Sequence, residues 1–122
     1  MIIVKSVVSV IDNSGAKMAQ CIKILGSSRK KVGKVGSIIK VSIKEIYSTG
    51  KIKKGTVYNA IIIRTKCATK RSTGVFFKFN DNCVVLLDHN RQVIGTRVAG
   101  IIPREIQKCG ISKLFSFAKK TI

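Results

Sequence analysis

The sequence predicts a mainly β domain, either a sandwich or a small barrel. Three observations carry that prediction. Ile39, Val41 and Ile43 alternate with Lys40, Ser42 and Lys44, the period of two expected of a half-buried strand. Ala60-Ile61-Ile62-Ile63 and Cys83-Val84-Val85-Leu86-Leu87 are short apolar runs dominated by β-branched residues, which suit strands buried on both faces. Turn-forming clusters recur about every ten to fifteen residues between such runs, as in sandwiches and barrels. A closed barrel also removes the sheet edges that invite aggregation.

The elements follow in chain order. Residues 1–10 are apolar and β-branched, with one Lys at position 5, and read as a first strand. They lack the leading charge and small-residue ending of a signal peptide and the Arg and Ser of a transit peptide. Asn13-Ser14-Gly15 is the first turn. Cys21-Ile22-Lys23-Ile24-Leu25 continues an earlier strand and stops at Gly26. Ser48-Thr49-Gly50 follows the alternating strand, and Ser72-Thr73-Gly74 follows the run at 60–63. Phe76-Phe77-Lys78-Phe79 is another β-rich stretch, and its phenylalanines read as core or sheet-face residues rather than platforms for bases. Asn80-Asp81-Asn82 and Asp88-His89-Asn90 bracket the run at 83–87. Pro103 stands at a first helical position, Gly110 ends that turn, and Ile111, Leu114, Phe115 and Ala118 predict a second short amphipathic helix.

A chain of 122 residues suggests one domain, able to remove roughly two thirds of its unfolded surface from water. Its 45% hydrophobic residues exclude a disordered basic tail, and its single Pro excludes collagen-like and Pro-rich classes. No apolar run approaches the roughly 18 residues of a transmembrane helix. The four cysteines, 21, 67, 83 and 109, form no C-x-x-C pair. They point away from zinc and redox motifs and toward a reducing compartment, with Cys21 and Cys83 as small buried hydrophobes.

Charge is the chief functional signal. Lys and Arg number 24 and Asp and Glu 5, for a net charge of +19. Such a surface repels itself unless an anionic partner covers it. Nucleic acid leads, ahead of an anionic membrane face. The cations gather in three connections, 27–36, 50–55 and 64–72, where Lys and Arg mix with Gly, Ser and Thr. Glycine lets a backbone approach phosphate, and hydroxyls add donors to its oxygens. No helix-turn-helix, heptad or zinc-finger pattern is present, and Lys outnumbers Arg. Shape and backbone recognition of folded RNA fits best. A free barrel that binds single-stranded RNA or DNA is the alternative, and exposed aromatics would mark it.

Catalytic readings are weaker. Gly33-Lys34-Val35-Gly36 lacks the G-x-x-x-x-G-K-[ST] spacing of a phosphate loop. Asp12, Glu45, Asp81, Asp88 and Glu105 form no closely spaced metal-holding pair, and His89 has neither nucleophile nor orienting partner nearby in sequence. No enzyme activity, cofactor, metal or small-molecule substrate is expected.

Several motifs taken together resemble a known family. They are Asp12-Asn13-Ser14-Gly15-Ala16, Cys21 to Gly26, Val35-Gly36 through Ile43-Lys44-Glu45, and Gly50 to Gly55. Ala60 to Lys66, Gly74, Phe79, Asn82, Val84 to Leu87, Gly95-Thr96-Arg97 and Arg104-Glu105 complete the series. In this order the chain resembles the universal large-subunit ribosomal protein fourteen family from end to end. That resemblance implies a small five-stranded β-barrel with a projecting β-ribbon over residues 1–100, and a short helical part over 101–122. It implies binding to large-subunit rRNA, an interface with small-subunit rRNA, a neighbouring large-subunit protein, and a ribosome-silencing or anti-association factor. The candidate rRNA-binding set is Lys17, Lys23, Arg29, Lys30, Lys31, Lys34, Lys51, Lys53, Lys54, Arg64, Lys66, Lys70, Arg71 and Arg104. Thr96, Arg97 and Lys113 match the subunit-interface and factor face. The chain departs from the family at Ser37, at Thr73 and in its basic C-terminal stretch. Its excess of Ile and Lys suggests an AT-rich coding genome, favouring a mitochondrial, organelle-encoded member over a bacterial one.

Overall fold

The computed structural model describes residues 2–26, 29, 31–47 and 51–122. The turn residues 27, 28 and 48–50, and Lys30, lie outside the described residues. The strands are β1 (Val7–Val10), β2 (Ala16–Ile24), β3 (Ile38–Ile46), β4 (Val57–Arg64), β5 (Thr69–Lys70), β6 (Phe76–Phe77), β7 (Cys83–Leu87), β8 (Val98–Ile102) and β9 (Ala118–Thr121). A 3₁₀ turn covers Arg104–Cys109 and one short helix, α1, covers Ser112–Phe117. No described helix is long and apolar enough to cross a membrane.

Strands β1, β2, β3, β4 and β7 close into a five-stranded barrel in that order. Neighbours are antiparallel except β1 and β7, which run parallel and close the ring. The alternation in β3 does what its period demands. Ile39, Val41 and Ile43 are fully buried, while Lys40 and Lys44 face out.

The continuous apolar runs have a different explanation, and it shapes the whole molecule. Ala60, Ile62, Val84 and Leu86 belong to the core inside the barrel. Ile61, Ile63, Val85 and Leu87 point the other way, into a second core with Val98, Ile102, Ile106, Ile111 and Leu114. Strands β4 and β7 are therefore covered on both faces, outside by the C-terminal segment. Apolar residues at every position are what such a strand requires.

The structure corrects three sequence expectations. The first strand is shorter than 1–10: only Val7–Val10 joins the barrel, and Ile2 makes an isolated bridge to Gly33. Strand β2 runs Ala16–Ile24, so Cys21 does continue an earlier strand, as expected. Its ladder with β3 slips at three places, so its buried residues Ala16, Ala19, Cys21 and Ile24 do not alternate and hide the strand from a period-two reading. The predicted second helix ends at Phe117, and Ala118 starts β9, which pairs in parallel with β8. Residues 101–122 are thus not only helical; the open edge of β8 outweighs the helical spacing. The stretch 76–79 is a strand only at Phe76–Phe77. Pro103 caps the 3₁₀ turn as its N-cap, and Gly110 ends it with a left-handed φ of 77°.

Candidate nucleic-acid interface

Strand direction sorts the basic connections by barrel end. β1, β3 and β7 run one way, β2 and β4 the other. The β2–β3 connection with Arg29, Lys31 and Lys34 shares one end with the long β4–β7 connection. The β1–β2 turn, the β3–β4 connection with Lys51, Lys53 and Lys54, and the loop after β7 share the other.

At the first end, Gly33 exchanges backbone hydrogen bonds with Ile2 (2.6 and 3.1 Å). A Cβ on Gly33 would lie 2.6 Å from Ile62 Cδ1. The Gly36 N–H donates to the Ile62 carbonyl (2.8 Å), and the Ile62 N–H donates to the Ser37 carbonyl (3.0 Å). The Lys34 N–H donates to Ser37 Oγ (3.1 Å). Gly33 serves close packing on the barrel mouth, and Lys34 beside it is exposed.

Beside it stands the β-ribbon, β5 and β6, whose register places Lys70 opposite Phe76 and Thr69 opposite Phe77. Directly opposed residues share a face. On one face, Phe77 carries the Arg71 guanidinium 4.6 Å from its ring centre and meets Phe79 edge-on at 5.7 Å. On the other, Phe76 is 62% exposed. Lys34, Thr65, Cys67, Ala68, Thr69, Lys70 and Phe76 line a cleft of about 380 Å³ between loop and ribbon. Thr65 Oγ1 donates to the Cys67 carbonyl (3.1 Å), the Phe79 N–H donates to the Thr65 carbonyl (3.1 Å), and the Lys66 N–H donates to Asn82 Oδ1 (2.9 Å). These bonds anchor the ribbon's base.

Two predicted RNA-binding arginines are engaged within the protein. Arg64 pairs with Asp81 (3.4 Å) and donates to Cys83 Sγ (3.3 Å). Gly100, at φ +81°, leaves room for its guanidinium, which a Cβ there would meet. Arg71 pairs with Glu105 (2.8 Å) and donates to the main-chain oxygen of Ile122 (2.8 Å), tying the ribbon to the C-terminal segment. Both are half-buried. Lys17, Lys23, Arg29, Lys31, Lys34, Lys51, Lys53, Lys54, Lys66, Lys70 and Arg104 are exposed.

At the opposite end, Asn13 joins two loops far apart in sequence. Its Oδ1 accepts from the N–H groups of Thr96 (2.7 Å) and Arg97 (3.1 Å), and its Nδ2 donates to Thr96 Oγ1 (2.9 Å). A Cβ on Gly95 would lie 2.7 Å from that same Oδ1, so only glycine permits the approach. Asp12 beneath is buried and accepts from the N–H and hydroxyl of Ser14 and from the Leu86 N–H (3.2 Å). Burial pushes its carboxyl up from the ordinary range, and these hydrogen bonds pull it partly back. Thr96 and Arg97 are presented to solvent on this support. Lys113 lines a cleft of about 350 Å³ with Arg91 and Gln92, from the connection that carries Thr96 and Arg97.

In the β3–β4 connection, Ile52 reaches into the barrel core while Lys51, Lys53 and Lys54 stay outside. Thr56 Oγ1 donates to the Lys53 carbonyl (2.6 Å) and Gly55 takes φ +85°, closing the turn. Among the described residues, no three of His, Cys, Asp and Glu gather closely enough to hold a metal ion. The sequence reading missed the exposure of Phe76 and the bridging role of Asn13. The first could be found only from ribbon register; the second was marked by the motif at 12–16 without its partner. Compared with known proteins, the chain matches the family model described as Ribosomal protein L14p/L23e over residues 1–122.

Proposed function

The chain belongs to the ribosomal protein L14p/L23e family, and from that premise we propose that it binds large-subunit rRNA through the lysines at both barrel ends and faces the small subunit through Thr96, Arg97 and Lys113. The family is one of structural constituents of the large ribosomal subunit, so the chain's place is the ribosome and its work in translation is structural. The observation that carries the RNA reading is the placement of its charge. Within a net charge of +19, exposed Arg29, Lys31, Lys34 and Lys66 lie on the connections at one barrel end and exposed Lys51, Lys53 and Lys54 on a connection at the other. Ammonium groups so held neutralise phosphates and release counterions without reading bases.

The Asn13 bridge supports the second part of the proposal, since it presents the Thr96 and Arg97 backbone in one conformation. A rigid hydrogen-bonding edge of this kind suits contact with small-subunit rRNA, a neighbouring large-subunit protein, or an anti-association factor. The composition favours a mitochondrial ribosome over that of a bacterial cytoplasm.

Two measurements test this. In a sucrose gradient of native lysate the chain should sediment with the large subunit; recovery only in low-mass fractions overturns the proposal. Lys53→Ala and Lys54→Ala should each weaken rRNA binding evenly across sequences and lower the salt slope by about one. Loss confined to particular base sequences would show that these residues read bases instead.

A further inference from the structure

We propose that the cleft between the Lys34 loop and the ribbon receives one unpaired rRNA base, stacked on Phe76, with the adjoining phosphates held by Lys34 and Lys70. This rests on the rRNA-binding reading and names its mode at one place.

The asymmetry of the ribbon carries the inference. Phe77, on one face, already has its ring covered by the Arg71 guanidinium and its edge met by Phe79. Phe76, on the other, is 62% exposed. An exposed aromatic ring on a two-residue strand does nothing for the barrel core, and burying it against a partner recovers apolar area. The chemistry around it selects that partner. Lys70 is directly opposite in the ladder, and Lys34 lines the same cleft from the anchored glycine loop. Two ammonium groups beside a free aromatic face suit a base flanked by phosphates, the combination used by proteins that take up unpaired nucleotides. The cleft, about 380 Å³, lies within the roughly 300–1,000 Å³ typical of small-ligand sites. The backbone bonds holding Lys34 and the ribbon base mean that little ordering is left to bind.

The test compares the full chain with Phe76→Ala, Phe76→Leu and Phe76→Trp for binding to large-subunit rRNA at moderate salt. Folding of each variant is checked by circular dichroism and urea midpoint. Phe76→Ala should weaken binding about 5- to 150-fold. Phe76→Trp should bind as tightly as the parent, and Phe76→Leu should be nearly as weak as the Ala variant, because it keeps apolar area without a π face. Lys34→Ala and Lys70→Ala should each lower the salt slope by about one. Alkylation of Cys67, which lines the cleft, should slow when rRNA is bound.

Equal binding by the Leu variant and the parent overturns stacking and assigns the ring to a protein neighbour. Wild-type affinity of Phe76→Ala, with Cys67 still open to alkylation on rRNA, also overturns it, while loss in the lysine variants leaves the rRNA reading standing. Failure of the parent chain to bind rRNA at all sinks the reading itself. Should Phe76→Ala prove unstable, the Trp and Leu pair decides.

Discussion

Replacing Asn13 with Ala should free the loop that presents Thr96 and Arg97. The substitution removes three hydrogen bonds, of 2.7, 2.9 and 3.1 Å, between the β1–β2 turn and the segment before β8. Asn13 is exposed, so the released N–H groups meet water rather than a dry interior. Each bond then falls in the lower half of the ~0.5–1.5 kcal/mol range, and three amount to about 1.5–3 kcal/mol. For a domain of this size that is a fall of about 5–15 °C in Tm. Asn13→Asp is the matched control. It keeps the acceptor for both N–H groups, loses only the amide donor to Thr96, and should cost less than about 1 kcal/mol. Urea unfolding gives the stabilities, and hydrogen exchange at the Thr96 and Arg97 amides reports the loop itself. Exchange there should speed up in the Ala variant and stay slow in the Asp variant. The reasoning is refuted if the Ala variant keeps parental stability and slow exchange at both amides, because the Asn13 bridge then holds nothing.

Three further predictions concern groups buried or engaged within the fold. Arg71→Ala should cost about 1–3 kcal/mol in urea unfolding by loosening ribbon from C-terminal segment, while leaving the salt slope of rRNA binding unchanged; a drop in slope would mean Arg71 reaches phosphate. Burial holds the Cys83 thiol up at about 11 and raises that of Cys21, so peptide mapping after alkylation at pH 8 should find both unmodified and Cys67 modified, and rapid labelling of Cys83 would contradict the double covering of β7. The Asp12 carboxyl titrates above its ordinary 3.8 in the native state, so the native state holds that proton more tightly. Its contribution is fully present below the unfolded value and is lost as pH rises through the native one. As pH rises upward from that ordinary value the parent should therefore lose stability relative to Asp12→Asn, and parallel pH profiles would rule this out.

Much of the fold could be read from residue order because strand burial is a local matter. The alternation at Ile39, Val41 and Ile43 showed one buried face, and the unbroken runs at 60–63 and 83–87 showed two. Strand β2 was only half legible, since bulges break its period. The final helix was overestimated because Ala118, at a helical spacing, pairs with Val98 instead. The candidate site was legible as charge on connections, though not as geometry. Arg64 and Lys66 are two residues apart, yet one pairs inward with Asp81 and the other faces solvent.

By itself, then, the sequence determined a β domain of one core-forming chain, the connections that carry its cations, and the family that its ordered motifs resemble. Those properties depend on side-chain type and near-neighbour spacing. Only the tertiary structure decided that β4 and β7 serve two cores, that Arg71 lies on Phe77 while Phe76 stays bare, that Lys34 comes to Lys70, and that Asn13 holds Arg97. Each of those contacts depends on how strands register and which way loops close, and no local pattern of residues encodes either.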